Sequence, residues 1–211
     1  MAELGIQRAI VLYGVTGVGK SIIADHLHAQ LTNSQIVPTD MLRKVVALCT
    51  QDKTLSASSY SLTGKQVHSR DDQIALLDAF AKQNSAVEQA IKAAFVWSRA
   101  TNRVLIVEGV NALACVSEGG DSQNAPGIFF VTISNPQVHM NMLSRRHALH
   151  PSPPVSMETY RKYFDNIRFM DDFLGKQAKE LGHVTLDSSV LGVDGAVNLI
   201  LGSAGLSGDH K

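Results

Sequence analysis

Eight consecutive residues carry the most specific chemistry of this chain: Gly14-Val15-Thr16-Gly17-Val18-Gly19-Lys20-Ser21. The pattern is G-x-x-x-x-G-K-S. Its glycines let the backbone curl so that successive N–H groups converge on an anion. Lys20 is placed to reach the β- and γ-phosphates of a nucleotide, and the Ser21 hydroxyl to ligate Mg²⁺. A plain strand-to-helix turn requires neither a lysine nor a serine at those positions. The spacing therefore predicts a phosphate-binding loop, provided that a strand precedes it and a helix follows.

Both flanks have that character. Arg8-Ala9-Ile10-Val11-Leu12-Tyr13 is an apolar run that ends at the first glycine, as a buried parallel strand does. Ile23, Leu27 and Leu31 recur at four-residue steps after the loop, an amphipathic helical stripe. The helix start adds the positive end of its dipole.

Further strands are predicted at Gln35–Pro38, Val104–Val107, Ile128–Ile133 and Val184–Leu186, separated by helical patterns. Helices are predicted at Met41–Leu48, from Asp71 to about Thr101 with a break near Asn84-Ser85, at Gln137–His147, as one long helix over Met157–Leu181 stopped by Gly182, and at Asp194–Leu201. Lys53–Lys65 is Ser/Thr-rich and reads as irregular, Ser117–Gly127 as a surface loop, and His150–Pro154 as a proline-rich lid. Alternating strands and helices give the fold class: α/β, a three-layer P-loop kinase arrangement with a mainly parallel sheet, helices on both faces and a small lid. One domain is expected over residues 1–202, with a frayed tail at 203–211.

Ligands of such sheets bind beyond the carboxyl ends of the strands. The first strand delivers the loop there. The second delivers Asp40, with Arg43 a helical turn on. The third delivers Glu108, and the fourth leads to the helix bearing Arg145 and Arg146. Phosphoryl transfer requires such groups: positive charge on the phosphates, a carboxylate near the acceptor hydroxyl, and a second carboxylate beside Mg²⁺. The residues expected to carry the chemistry are thus Lys20, Asp40 and Arg146, with Arg145 beside the nucleotide and Ser21 and Glu108 at the metal. Structural alternatives stay open: Asp40 as the cap of the helix starting at Met41, Arg43 as a solvated helix residue, and Arg145 and Arg146 as a solvated face. Glu108 has no such alternative, because burying an unpaired carboxylate is costly. The histidines, His139 among them, lack metal spacing and read as surface or core residues.

The 211 residues are 45% hydrophobic and 18% charged, a globular composition, and their formal net charge is zero, which gives no support to a nucleic-acid surface. No apolar run is long enough to cross a bilayer, no signal core follows the N-terminus, and Cys49 and Cys115 form no paired motif. The expectation is a cytoplasmic protein acting on a small molecule, without disulfides or zinc.

With these residues in view, the chain resembles the 2-phosphoglycerate kinase family of P-loop kinases. The resemblance covers most of residues 9–188. It rests on Gly14–Ser21, Thr39-Asp40-Met41-Leu42-Arg43, Ser58-Ser59-Tyr60, Val107-Glu108-Gly109-Val110 and Tyr163-Phe164-Asp165-Asn166-Ile167-Arg168. It implies ATP- and Mg²⁺-dependent transfer to the free hydroxyl of 2-phosphoglycerate. It also implies that Asp40 and Arg43 face the acceptor, that Glu108 sits near the metal, and that Ser58, Ser59, Tyr60 and Arg168 contact an anionic acceptor. Arg168 has a structural alternative, pairing with Asp165 or Asp172. The N-terminal regulatory domain that some members carry is not expected. The chain departs from the family pattern: E-G-x-H here ends in Asn111, and H-x-x-R-F-x-x-R becomes His139-Met140-Asn141-Met142-Leu143-Ser144-Arg145-Arg146, with Met142 for its first arginine and the second kept as Arg146. Other readings are a different acceptor (an inositol phosphate, a nucleoside or an RNA hydroxyl) or a non-catalytic nucleotide-dependent regulator. A GTP switch is disfavoured, since no N-K-x-D segment is present.

Overall fold

The computed structural model describes residues 9–115, 126–149 and 155–203. Five strands form one parallel sheet in the order β2-β3-β1-β4-β5: β1 (Ala9–Tyr13), β2 (Ser34–Pro38), β3 (Val104–Glu108), β4 (Gly127–Thr132) and β5 (Val184–Asp187). β1 is central, with Val11 opposite Val107 of β3 on one side and Ile128 of β4 on the other. All five of its residues are buried, which accounts for the unbroken apolar run.

The parallel strands demand crossovers. α1 (Lys20–Gln30) carries the chain from β1 to β2, whereas α2 (Thr39–Thr50) and α3 (Arg70–Ala100) return it from β2 to β3. α4 (Pro136–Leu149), α5 (Met157–Lys162) and α6 (Phe164–Glu180) join β4 to β5, and α7 (Ser188–Ser203), kinked at Gly192, packs against α1. Right-handed crossovers running in opposite directions put α1 on one face and α3 and α6 on the other. This is the α/β fold of the P-loop kinases. No helix among the described residues is long and apolar enough to cross a membrane.

The last helix starts at Ser188, earlier than the expected Asp194, a 3₁₀ turn at Val110–Cys115 was not expected, and four further differences bear on the site. The long helix α3 is unbroken at Asn84-Ser85. Buried Leu76, Phe80, Gln83, Val87 and Ile91 anchor it along one face, and the Asn84 side chain accepts from buried Asn111. The single helix expected over Met157–Leu181 is instead two, interrupted at Tyr163 (φ −104°, ψ 16°). There the Tyr163 hydroxyl donates to Gly64 O at 3.0 Å, and its ring packs against Tyr60. Asn166, fully buried one turn on, donates to Tyr60 O and Lys65 O. Tertiary contacts to the 57–65 segment thus outweigh helical continuity. The Ser/Thr-rich segment is not wholly irregular: Lys53–Ser56 and Ser59–Ser61 are 3₁₀ turns. α2 begins at Thr39, with Pro38 as its N-cap, so Asp40 is in the first turn and is not the cap. The segment from 116 to 125, the His150–Pro154 lid and the tail beyond Ser203 lie outside the described residues.

Candidate active site

The phosphate loop lies between β1 and α1 as its motif requires. Its backbone is committed to the conformation: Gly14, Gly17 and Gly19 all have positive φ. At Gly14 a Cβ would drive into the Val131 carbonyl oxygen of β4, so glycine is required there by the neighbouring strand. At Gly17 a Cβ would meet Leu143 Cδ2 at 2.5 Å, because α4 packs onto the loop.

The loop carbonyls are drawn outward or onto the loop's own lysine. Lys20 Nζ donates to Val15 O at 2.7 Å, His139 Nε2 lies 2.8 Å from Thr16 O, and Ser188 Oγ donates to Val18 O at 2.8 Å. A peptide whose oxygen faces the protein presents its N–H on the other side. α1 begins at Gly19 without a side-chain cap or an acidic first turn, so its leading amides also stay available for an anion.

Ser21 Oγ donates to Glu108 Oε1 at 3.3 Å, joining the loop to the end of β3. Glu108 is 9% exposed and Lys20 8%. Burial raises the Glu108 carboxyl above its ordinary value and lowers the Lys20 ammonium below its own, and their mutual attraction opposes both shifts. The charges of Asp40 and Arg146 act on both groups, and those same two act on buried Tyr60. Lys20, Asp40, Tyr60, Glu108 and Arg146 are thus near enough for their charges to act on one another. Arg146 also donates to Thr16 Oγ1 at 3.2 Å, which brings it to the loop's rim.

Other residues singled out in the sequence are placed differently. Arg43 is not a solvated helix residue. It is 4% exposed, and Nη1 donates to Leu55 O at 2.6 Å and Ala57 O at 2.7 Å, while Nη2 reaches Asp40 Oδ1 at 3.2 Å. Gln83 Nε2 donates to the same Ala57 O at 3.0 Å. Arg43 therefore fixes the approach to Ser58-Ser59-Tyr60 and steadies Asp40. Ser59 and Tyr60 are buried and Ser58 is half-buried. Arg168 lies at the other end of the sheet edge, donating to Ile133 O and Ser134 O and pairing with Asp171 at 3.3 Å, in place of Asp165 or Asp172. Arg145 is exposed on α4. Asn111 is fully buried, with its amide nitrogen on Asn84 and Gln83 and its Oδ1 without a partner among the described residues.

His139 is the residue that sequence reasoning missed. It is fully buried and holds the loop, and a scattered histidine without metal spacing gives no sign of this. Its one clue is a four-residue step to Leu143, the other α4 side chain against Gly17. Among the described residues no three His, Cys, Asp or Glu side chains gather as a metal cluster.

No family model matches the chain. It is 26% identical over 197 residues to the 2-phosphoglycerate kinase of Methanocaldococcus jannaschii, covering 90% of this chain and 62% of that one. To the 2-phosphoglycerate kinase of Thermococcus kodakarensis it is 26% identical over 193 residues, covering 88% and 64%. The chain thus spans somewhat less than two thirds of the length of these relatives. Among solved structures, the tunicamycin resistance protein of Deinococcus radiodurans superposes with a TM-score of 0.51 at 18% identity, covering 94% of this chain and 96% of that one, which is a likeness of fold. Fold, phosphate loop and relatives converge, and the chain is similar to the 2-phosphoglycerate kinases along most of its described length.

Proposed function

We propose that this protein is an ATP- and Mg²⁺-dependent kinase that transfers the γ-phosphoryl group to a hydroxyl of a small anionic metabolite resembling 2-phosphoglycerate. The observation that carries the reading is the meeting of Lys20 and Ser21 with Glu108, Asp40 and Arg146 at the strand ends. That set supplies positive charge for a phosphoryl group and an oxygen site for a hard cation, with a separate carboxylate left over.

The loop amides and Lys20 hold the phosphates of ATP. Ser21 Oγ and the Glu108 carboxylate, hard oxygen donors already 3.3 Å apart, fit Mg²⁺, with water and phosphate oxygens completing its shell. Bound there, the cation would neutralise phosphate charge and orient the transferring group. Asp40, exposed and steadied by Arg43, accepts the acceptor's proton as its oxygen bonds to phosphorus and the bridging oxygen leaves with ADP. Arg146 adds charge at the rim. Arg145, exposed on the same helix, would add charge beside the nucleotide, and Ser58, Ser59 and Tyr60 would contact the acceptor. The cell compartment that suits such an enzyme is the cytoplasm, and the neutral net charge suits a small-molecule partner better than a nucleic acid.

The test is ³¹P NMR of the purified protein with MgATP and a panel of phosphorylated and sugar acids, 2-phosphoglycerate first. Metal-dependent ADP and a new phosphoester are expected. Nucleotide binding with no transfer to any of these acids would overturn the anionic-metabolite reading. A second reading, the same engine with another acceptor, is favoured by Asn111. Its buried, unpartnered Oδ1 stands where the resembling family has a histidine.

A further inference from the structure

We infer that His139 and Ser188 form an outer clamp that positions the phosphate loop for its nucleotide, and that Arg168 and Asp171 hold His139 in the one tautomer able to do so. The inference rests on reading Gly14–Ser21 as a nucleotide loop. Two loop carbonyls each meet a side-chain donor from outside the loop, and Ser188 Oγ, which also lies 3.4 Å from Thr132 O, is much closer to the loop. His139 Nε2 is 2.8 Å from Thr16 O, and Ser188 Oγ is 2.8 Å from Val18 O. The donors come from α4 and α7, elements far apart in sequence, so neither contact is a local accident of the loop.

The tautomer follows from what surrounds the ring. Thr16 O can only accept, so Nε2 carries hydrogen. Arg168 Nη1 can only donate, and it lies 3.3 Å from Nδ1, so Nδ1 is the lone-pair side. Arg168 is itself fixed by Ile133 O, Ser134 O and Asp171, and Asp171 Oδ2 accepts from Thr132 Oγ1 at 2.7 Å. A chain of hydrogen bonds thus runs from β4 and α6 through one imidazole to the loop backbone. The ring also makes an edge contact with Phe164, and it lies beside Leu143 over Gly17. The clamp touches no phosphate, so these are positioning residues. They turn the peptide planes of Thr16 and Val18 so that the amides on the opposite side face inward.

The test is the Kd for MgATP together with the thermal midpoint of the nucleotide-free protein, for the parent, His139→Phe, His139→Gln and Ser188→Ala. His139→Phe keeps volume and removes the donor, and should weaken nucleotide binding about tenfold, the scale of one hydrogen bond to a preorganised loop. His139→Gln returns an N–H near the Nε2 position and should recover most of that loss. Ser188→Ala should weaken binding similarly, since it frees the second carbonyl. ¹⁵N NMR of the parent's His139 should show the Nε2–H tautomer. Equal Kd values for parent, His139→Phe and Ser188→Ala would overturn the clamp, as would an Nδ1–H ring. Should His139→Phe fail to fold, Ser188→Ala and the tautomer decide. A parent that binds no MgATP would instead overturn the reading of the loop itself.

Discussion

Ser21 Oγ and Glu108 Oε1 meet at 3.3 Å, so the residue that ends the phosphate loop touches the residue that ends β3. Parallel pairing of β1 with β3 aligns Leu12 with Glu108 and brings the two strand ends level. Lys20, the Ser21 hydroxyl and Arg146 only partly offset the burial of this carboxylate, and a bound cation would complete the compensation. Glu108→Gln should therefore slow phosphoryl transfer by about 100-fold or more while the fold survives, the scale of losing a charge that orients a metal. Transfer rates across an Mg²⁺ titration check this. An unchanged rate at limiting Mg²⁺ would remove Glu108 from the metal's surroundings.

Asp40 and Lys20 should fail differently. Lys20→Ala removes a buried charge from the phosphate side and should abolish both nucleotide binding and transfer. Asp40→Asn leaves the loop intact and should keep the nucleotide Kd within about twofold, while slowing transfer by about 10²–10⁴-fold, the usual range for losing a general base. Equilibrium titration with a fluorescent ATP analogue, run beside the transfer assay, separates the two. Full transfer activity of Asp40→Asn would remove Asp40 from the proton-accepting role.

Gly14 tests a claim about packing. Its φ is 151°, and a Cβ would enter the Val131 carbonyl of β4. Gly14→Ala should lower stability by more than about 2 kcal/mol with no nucleotide present. Denaturant unfolding of the nucleotide-free protein measures it. A loss seen only in the presence of nucleotide would mean that the glycine serves the ligand alone.

Arg43→Met should destabilise by about 2–4 kcal/mol, since it strips donors from two carbonyls and a partner from Asp40. Gln83 still reaches Ala57 O, so the helix core should survive. Hydrogen exchange should accelerate over residues 53–61 first. Unchanged protection there would show that Arg43 does not anchor the segment.

Two buried groups should give opposing pH dependences of stability. Burial raises Asp171 from 3.8 to about 6, outweighing Arg168, and its Oδ1 has no partner among the described residues. The folded state then holds a proton that the unfolded state releases, so this contribution falls as pH rises from 3.8 to 6. Burial lowers His139 from 6.5 to about 4, and there the unfolded state holds the extra proton, so stability rises between pH 4 and 6.5. Each slope is about 1.4 kcal/mol per pH unit, and over pH 4–6 they offset. Denaturant midpoints should show Asp171→Asn gaining stability with pH in that window relative to the parent, and His139→Gln losing it. Parallel profiles for all three proteins would show that neither group titrates as described.

The fold was legible because its signals are periodic or stereochemical. The buried strands read as apolar runs, and the loop read from its glycines, lysine and serine. Glu108 could be read at a strand end because a parallel sheet gives a carboxylate no structural reason to be there. What could not be read depends on contacts distant in sequence. Tyr163 breaks a helix because it meets Tyr60 and Gly64, about a hundred residues earlier. Arg43 turns toward Leu55 and Ala57, whereas its spacing from Asp40 suggested only a shared helix face. His139 has no motif of its own. Its role exists only once α4 is laid against the loop.

The strand order β2-β3-β1-β4-β5 carries a consequence for how such an enzyme changes its substrate. Everything on one side of β1, from Ser34 to Ala112, is a single uninterrupted stretch of chain, and it holds Asp40, Arg43, Tyr60 and Glu108. Everything on the other side, from β4 onward, is a second stretch, and it holds the residues that grip the loop from outside. Retargeting the acceptor is then a matter of one continuous stretch between α1 and β4, in which Glu108 must be kept for the loop and Tyr60 must still meet Tyr163.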